Sequence, residues 1–544
     1  MAVITVNKFS GVSPMTPPRY LSNEAAQTAL NCPVWKGSLQ PIKGALELTP
    51  SPLTKSGNIK SIYRFGQSET NQLNYWFHWT TDVDVVQGFI SGDTTERTYF
   101  TGDGNPKVTD STLGLTGGGN LYPIAAYDIG VPKPTGTFTT AKTGTANANT
   151  TSETRVYTFT YVNSWGEEST PYSETDMSPS TEDVFPGESV VVTMPTAPSG
   201  NFNVTKKRIY RSASGTANTS YFFVAEVAVA VTTYTDSLDG DDLNEELPSL
   251  TWVQPPSTLK GLVGMPNGVM AGFSGNDVYF SEPFRPFAWP TQYVQTVGYP
   301  VVGLGVIDTT VVVLTKGRPY FIQGSHPDSS VMVEADVNQA CISKRSIVSM
   351  NNNVFFASPD GVVALSPGGS SIVTQSLFDK ETWQAQSPDD LVACMYESQY
   401  VGFFDTTSGN GGFVYDMKQK TWNFHNVYVT GAYNDLKNDS LYIIKSNELY
   451  KWDSGSDLSY TWKSKKYTFP EPKSFSCYRV EAEGYPVTVK IYKDSSAVVN
   501  LSVTDNSLRR LPPGLGTTWE FQLEGNKEVY NVQLAQTPQE LNQG

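Results

Sequence analysis

Histidine is nearly missing from this chain, which has three in 544 residues: His78, His326 and His425. The side chain most often used as a base near neutral pH is therefore scarce. Each copy sits beside aromatics, prolines or strand-like residues with no motif around it, so all three are expected to be structural. No GxSxG elbow presents a serine nucleophile, and no GxxxxGK loop followed by Ser or Thr cradles a phosphate, which excludes nucleotide hydrolysis. Cysteine is equally thin. Cys32, Cys341, Cys394 and Cys477 are far apart, with no CxxC pair and no neighbouring histidine. Neither a zinc site nor a disulfide framework is signalled, and buried thiols of a protein made in a reducing compartment are expected. Positive charge is also in deficit, with 38 Lys and Arg against 53 Asp and Glu, net −15. Without a basic surface there is no counterion release to drive binding to DNA phosphate or anionic lipid. No run approaches the roughly 18 apolar residues of a membrane span, and the N-terminus lacks the cationic start and apolar stretch of a signal peptide. Neither signal-peptide secretion nor membrane insertion is expected.

What the chain does have is 45 Gly and 35 Pro spread along its length, together with 12% aromatic residues. The breakers argue against long helices, and the abundant Tyr, Phe, Val and Thr favour half-buried strands joined by tight turns, so the fold class is all-β. At about 150 residues per domain the length implies three to four domains. Residues 1–58 read as a Pro-rich arm laid across other domains or a neighbouring subunit, with one helix-compatible piece at 23–31 that opens on Asn23 and Glu24 and contains Ala25, Ala26 and Ala29. Residues 59–130 hold four strand-like runs, at 61–65, 74–79, 83–90 and 97–100, that make one blade-sized unit, and a break follows at Gly117, Gly118 and Gly119. Residues 135–154, nearly all Thr, Ala, Gly and Asn, read as a linker or exposed loop. They open an inserted fibronectin- or immunoglobulin-like β-sandwich at 131–255. Over 256–455 a weak repeat places a Gly, Asn or Asp turn before a short strand. Aligning Val278, Pro319, Val362, Phe413 and Leu449 gives steps of 41, 43, 51 and 36 residues. Such steps suit four-stranded propeller blades, and with the early unit they predict a β-propeller of about six blades. Alternating runs over 456–544 indicate a C-terminal antiparallel β domain.

Glycoside cleavage needs paired acids, and the sequence offers Asp389 with Asp390, Glu167 with Glu168 and Glu245 with Glu246. Adjacent residues on a strand face opposite ways, so none of these pairs can flank one bond. Ser358-Pro-Asp360-Gly361 is similar to part of the Asp-box turn of sialidase-like propellers, but it lacks the spacing and the Trp, and reads as a turn feeding a strand. Asp236, Asp239, Asp241 and Asp242 are the only acidic cluster dense enough for calcium, and an acidic turn around Gly240 is the favoured reading. Trp76, Trp79, Trp422 and Tyr415 could stack on sugar, yet in so aromatic a β protein they are expected in the core. No catalytic, cofactor-binding or metal-ligating residue is assigned, and the chain is read as a non-enzyme.

Phe9-Ser-Gly-Val-Ser-Pro, Ala26-Gln27, Asn31 and Gly37-Ser-Leu-Gln-Pro41 resemble the opening of tail proteins from short-tailed bacteriophages. Residues 156–169 (VYTFTYVNSWGEES), with 208–212 (RIYRS), 234–236 and 247–249, look like the fibronectin-type insert of the same proteins. Residues 262–290 (LVGMPNGVMAGFSGNDVYFSEPFRPFAWP) are similar to the start of the propeller in the tail nozzle, or tail tubular protein B, family. The resemblance covers most of residues 1–340, and the C-terminal β domain departs from it. It implies a structural virion protein assembled in the host cytoplasm: a homohexameric ring below the head-to-tail adaptor, carrying tail fibres or spikes, through which double-stranded DNA is ejected without specific binding. The other function class considered is a carbohydrate-binding or carbohydrate-cleaving propeller at a phage or cell surface.

Overall fold

The computed structural model describes every residue except 1, 2, 67–74, 118, 148, 174–179, 214–219, 405–410, 543 and 544. Asn74, Gly118 and Gly544 therefore lie outside the described residues. The chain is a β-propeller carrying an inserted β-sandwich and a C-terminal β unit, so the all-β reading holds.

Seven sheets stand around one axis among the described residues. Their inner strands are Ser61–Arg64, Asp84–Gln87, Lys260–Gly264, Val301–Ile307, Val348–Met350, Val392–Tyr396 and Gly431–Asp435, which open blades one to seven. From blade two to blade seven each inner strand packs on the next, and the seventh returns to the first. Blades one and two are joined by Ser61 Oγ, which donates to Thr81 O at 3.0 Å and accepts from Val83 N at 2.9 Å. The repeat read from the sequence falls on one structural position. Val278, Val362, Phe413 and Leu449 lie on the third strand of blades three, five, six and seven, and Pro319 directly precedes the third strand of blade four. The unit at 61–100 divides into two blades, because the turn at 80–83 is a blade-to-blade connection and not a hairpin.

The arm is structured throughout its contacts. Leu46–Glu47 pairs antiparallel with Glu448–Lys451 and is the outer strand of blade seven. Ala26–Leu30 is a strand, not the helix expected at 23–31. It runs parallel to the outer strand of blade six (Leu30 opposite Phe424) and antiparallel to Tyr460–Ser464. Two open sheet edges that need hydrogen-bond partners override the helical preference of alanine, and the small Ala26 and Ala29 are fully covered between them. The result is one ten-stranded sheet continuous from the propeller into the C-terminal unit. Val3–Val6 completes the other C-terminal sheet against Val529–Ala535, burying Ile4 and Val6.

The insert packs a three-stranded sheet (Thr139–Gly144, Glu188–Thr193, Thr233–Asp236) on a four-stranded one containing Glu153–Asn163 and Val204–Ser212. Phe138, Tyr157, Phe159, Val190, Val192 and Ile209 fill its core. Thr139–Gly144 corrects the linker reading of 135–154. A Thr-rich edge strand needs only backbone pairing with Glu188–Thr193, so poverty in large side chains does not exclude it.

Candidate functional site: the bolted axis of the propeller

A propeller places whatever its inner strands carry around one central channel, which makes the axis the first place to look for function. Here the channel is interrupted. The short turn Lys344–Ser346, leading into blade five, stands at the axis. Lys344 Nζ reaches across to blade two and donates to Asp84 at 2.7 Å and Asp82 at 2.9 Å. Asp84 also accepts from Gly261 N of blade three at 3.1 Å. Arg345 donates to Lys60 O at 3.0 Å and Thr430 O at 2.5 Å, at the entrances to blades one and seven. The turn itself is fixed by Ser346, whose Oγ accepts from Ala357 N and whose carbonyl accepts from Tyr400 Oη. Four blades (two, five and six directly, three through Asp84) and the entrances to blades one and seven are thus tied through three consecutive residues.

On either side of this bolt lie cavities of about 400 and 250 Å³, and both are lined by Asp84, Val85, Lys344 and Ile347. The close approach demands a glycine opposite. A Cβ at Gly303, on the inner strand of blade four, would stand 2.4 Å from Ile347 Cδ1 and 3.3 Å from Lys344 Cγ. Burial pushes the Asp84 carboxyl above its ordinary value, partly offset by Lys344. Burial alone would lower the Lys344 ammonium, but Asp84 and Asp82 more than compensate and hold it above its usual range. Two carboxylates sharing one ammonium act as a cross-axis brace. Removing the ammonium as Lys344→Met is expected to cost about 1–3 kcal/mol at pH 7, at the lower end for buried pairs because the group is partly solvated. Asp84 then moves further up, so acidification neutralises it and the deficit against wild type should shrink between pH 7 and 5. Urea midpoints of both proteins at the two pH values check this, and a deficit that grows on acidification would refute it.

The residues singled out from the sequence lie elsewhere. His78 Nδ1 bonds Trp76 O at 2.8 Å, and Nε2 accepts from Thr54 N and Lys55 N, pinning the arm to blade one. Burial lowers its pKa to about 4. His425 contacts Gly402 O and Val427 N inside blade six, with its pKa lowered by burial to about 3. His326 accepts from Asp328 N and packs edge-on against Tyr293. Glu167 and Glu168 diverge: Glu167 ties Asn163 to Arg97 of blade two, while Glu168 takes Thr160, Tyr210 and Arg208 within the sandwich. Burial raises the Glu167 pKa to about 7. Asp389 and Asp390 open an exposed turn, and Glu245 and Glu246 are exposed. Ser358 caps its own turn by donating to Gly361 O, and Asp360 is held by Gln339 and Lys380. Asp236 turns inward onto Arg211 (2.8 Å) and Tyr157 (2.7 Å), away from the exposed Asp239, Asp241 and Asp242. No group of three or more His, Cys, Asp or Glu among the described residues is placed to hold a metal ion. Trp76, Trp79, Trp422 and Tyr415 are buried, the last two stacked at 4.5 Å. Cys32, Cys341 and Cys477 are buried free thiols, and Cys394 is half-buried. No helix among the described residues is long and apolar enough to cross a membrane.

The bolt itself was not read from the sequence. Asp82, in the turn before the strand, and Asp84, at its start, are two residues apart, which is a signal, but their cation lies 260 positions away from Asp84.

No protein-family model and no curated protein matches the chain. Among solved structures it is similar to BBS1N in its complex with ARL6DN (10% identity, 75% of this chain and 96% of that one, TM-score 0.30). It is also similar to BamB from Moraxella catarrhalis (12% identity, 54% and 91%, TM-score 0.24) and to PorZ of Porphyromonas gingivalis (12% identity, 89% and 82%, TM-score 0.25). Superpositions this shallow carry no weight of their own, and the propeller is defined by the strand order above.

Proposed function

We propose that this chain is a structural subunit of the distal tail tube, the nozzle, of a short-tailed bacteriophage, acting as one of six copies in a ring through which the genome leaves. The observation that carries the reading is the continuous sheet welding propeller, arm and C-terminal unit together, with the propeller axis braced shut. A braced axis suits a wall element and leaves the conduit to lie between copies. Three features support the assignment: the resemblance in segments 9–41, 156–169 and 262–290, an acidic balance of −15 that would repel phosphate and keep friction low, and carboxylates at the axis held by a cation. Adaptor above, fibres or spikes around and duplex DNA within are the partners this role requires. Lys and Arg should be scarce on the narrowest lumen loops.

Native mass measurement and electron microscopy of the full chain, alone and mixed with capsids bearing the adaptor but lacking the distal tail, test the proposal. A six-copy ring, free or as added density at the tail vertex, is expected. A monomer that adds nothing to the vertex would overturn it, and so would a ring that retains duplex DNA at moderate salt.

A further inference from the structure

Large apolar side chains are exposed together on the outer margin of blades three and four. Val331–Glu334 is the outer strand of blade four; it pairs only with Tyr320–Gln323, and its far edge has no partner among the described residues. Free edges are normally blunted by Lys, Pro or a bulge, yet this one exposes Val331 (61%), Met332 and Val333 in succession. Tyr299, also exposed, lies against Gly317, next to the Arg318–Glu334 ion pair that ends the strand.

The neighbouring loop of blade three adds a second, independent observation. Phe284 is 59% exposed and adopts φ of 58°, in the left-handed region that a bulky aromatic avoids. The conformation is enforced from several sides. Phe284 N donates to Gly268 O at 2.8 Å, Ala288 N to Arg285 O and Trp289 Nε1 to Pro286 O, and Arg285 stacks over Trp252 at 4.9 Å. Gly268, itself at φ 77°, leaves room for the ring, since a Cβ there would meet Phe284 Cε1 at 2.5 Å. Asn267 Nδ2 donates to Ser325 O, and Gln295 Nε2 donates to Ser330 Oγ, so the loop and the edge strand belong to one rigid margin. Strain spent on holding an aromatic rigidly in water marks an anchor for a partner surface.

We infer that this margin docks the C-terminal β unit of a second copy of the chain. The inference rests on the ring reading above and names its contact. A closed ring needs a heterologous interface, two different patches on each subunit, and charge selects the second patch. From residue 460 onward there are ten Lys and Arg against nine Asp and Glu, so the whole deficit of −15 falls on residues 1–459. Acidic propellers repel one another, and the near-neutral C-terminal unit is the part of the next copy that can approach. Near the blade-four edge stand the exposed Asp328 and Asp336, with Glu334 already paired to Arg318; around Ser496–Val503 stand Lys493 and Arg510, while Lys490 is paired to Glu524 and Arg509 to Asp505. Ser496–Val503 is likewise an edge strand, paired among the described residues only with Val487–Lys493, and it exposes Leu501, while Leu515 is exposed on the same unit. Strand addition between the two edges supplies main-chain hydrogen bonds, and Phe284 with Val331 supplies the apolar anchor. The C-terminal unit extends blade six, two blades from blade four, so the two patches are different surfaces of the subunit, as a heterologous contact requires.

Two variants of the full chain test this: Phe284→Ser with Val333→Lys on the propeller margin, and Leu501→Glu with Leu515→Ser on the C-terminal unit. All altered residues are exposed, and an unchanged near-UV circular dichroism spectrum establishes that each variant is folded. Each variant is expected to show at least a tenfold smaller population of rings by native mass, alone or on adaptor-bearing capsids. An equimolar mixture should give one-to-one dimers and no rings, because each variant keeps the patch the other has lost. Rings that persist in either variant overturn the inference and leave the ring reading intact, as does a mixture without dimers. A wild-type chain that forms no ring in either setting defeats the ring reading and the inference with it.

Discussion

Arg64→Met is expected to destabilise the protein by about 3–5 kcal/mol at pH 7, far more than loss of a surface charge would. Arg64 sits on the inner strand of blade one and Asp435 on the inner strand of blade seven, and their side chains are 4% and 0% exposed. The guanidinium donates to Asp435 Oδ2, and Asn438 Nδ2 donates to the same oxygen at 2.9 Å. The pair therefore lies in the seam where the ring of blades closes. Deleting the cation leaves a carboxylate buried in a seam packed by Trp76, Tyr433 and Tyr442, without its charge partner. The double variant Arg64→Met with Asp435→Leu should recover most of the loss, since removing both charges abolishes the uncompensated burial. Urea unfolding of the three variants decides the matter. A single-variant loss below about 1 kcal/mol would show that the seam tolerates an unpaired carboxylate.

The second large effect concerns the arm. Removing residues 3–9 deletes the strand Val3–Val6 and the buried side chains of Ile4, Val6 and Phe9. At about 1.5–3 kcal/mol for each buried side chain, the C-terminal unit should lose about 4–9 kcal/mol, before counting the exposed edge of Val529–Ala535. Phe9 also packs edge-on against Trp462 with ring centroids 5.0 Å apart, so the loss reaches the ten-stranded sheet. The expected result is a new low-temperature unfolding transition, with protease cutting first beyond residue 455 while the propeller core stays resistant. An unshifted melting curve for the truncated chain would contradict the role given to this strand.

What could be read from the sequence, and what could not, follows from how far apart the interacting residues lie. The third strands of the blades were legible because a tight turn and the aliphatic residues after it are neighbours in sequence, as in Asn276 to Phe280. The blade count was not, because the residues at 80–83 look like a hairpin turn until Ser61 is known to bond Val83. Ala26–Leu30 reads as helix on propensity, and only sheet edges contributed by residues near 424 and 462 make it a strand. The brace at the axis was hidden for the same reason. Asp82 and Asp84 look like ordinary solvated acids, and Lys344 meets them only after three intervening blades have turned the chain around the axis. In contrast, Trp422 and Tyr415 were correctly expected in the core, since they stack on each other across neighbouring strands of one blade.

The pairing of Val3–Val6 with Val529–Ala535 also sets a clock on synthesis. A ribosome adding about 5–20 residues per second needs on the order of half a minute to two minutes to make the last strand after the first has emerged. For that interval Ile4 and Val6 have no permanent home, while the inserted sandwich, whose strands all lie between 139 and 236, can already fold on the ribosome. A chain that terminates early never acquires the strand that receives its own beginning. Its first residues stay unzipped and open to proteolysis, so the fold checks that each chain has been made through Ala535 before its beginning is locked in place.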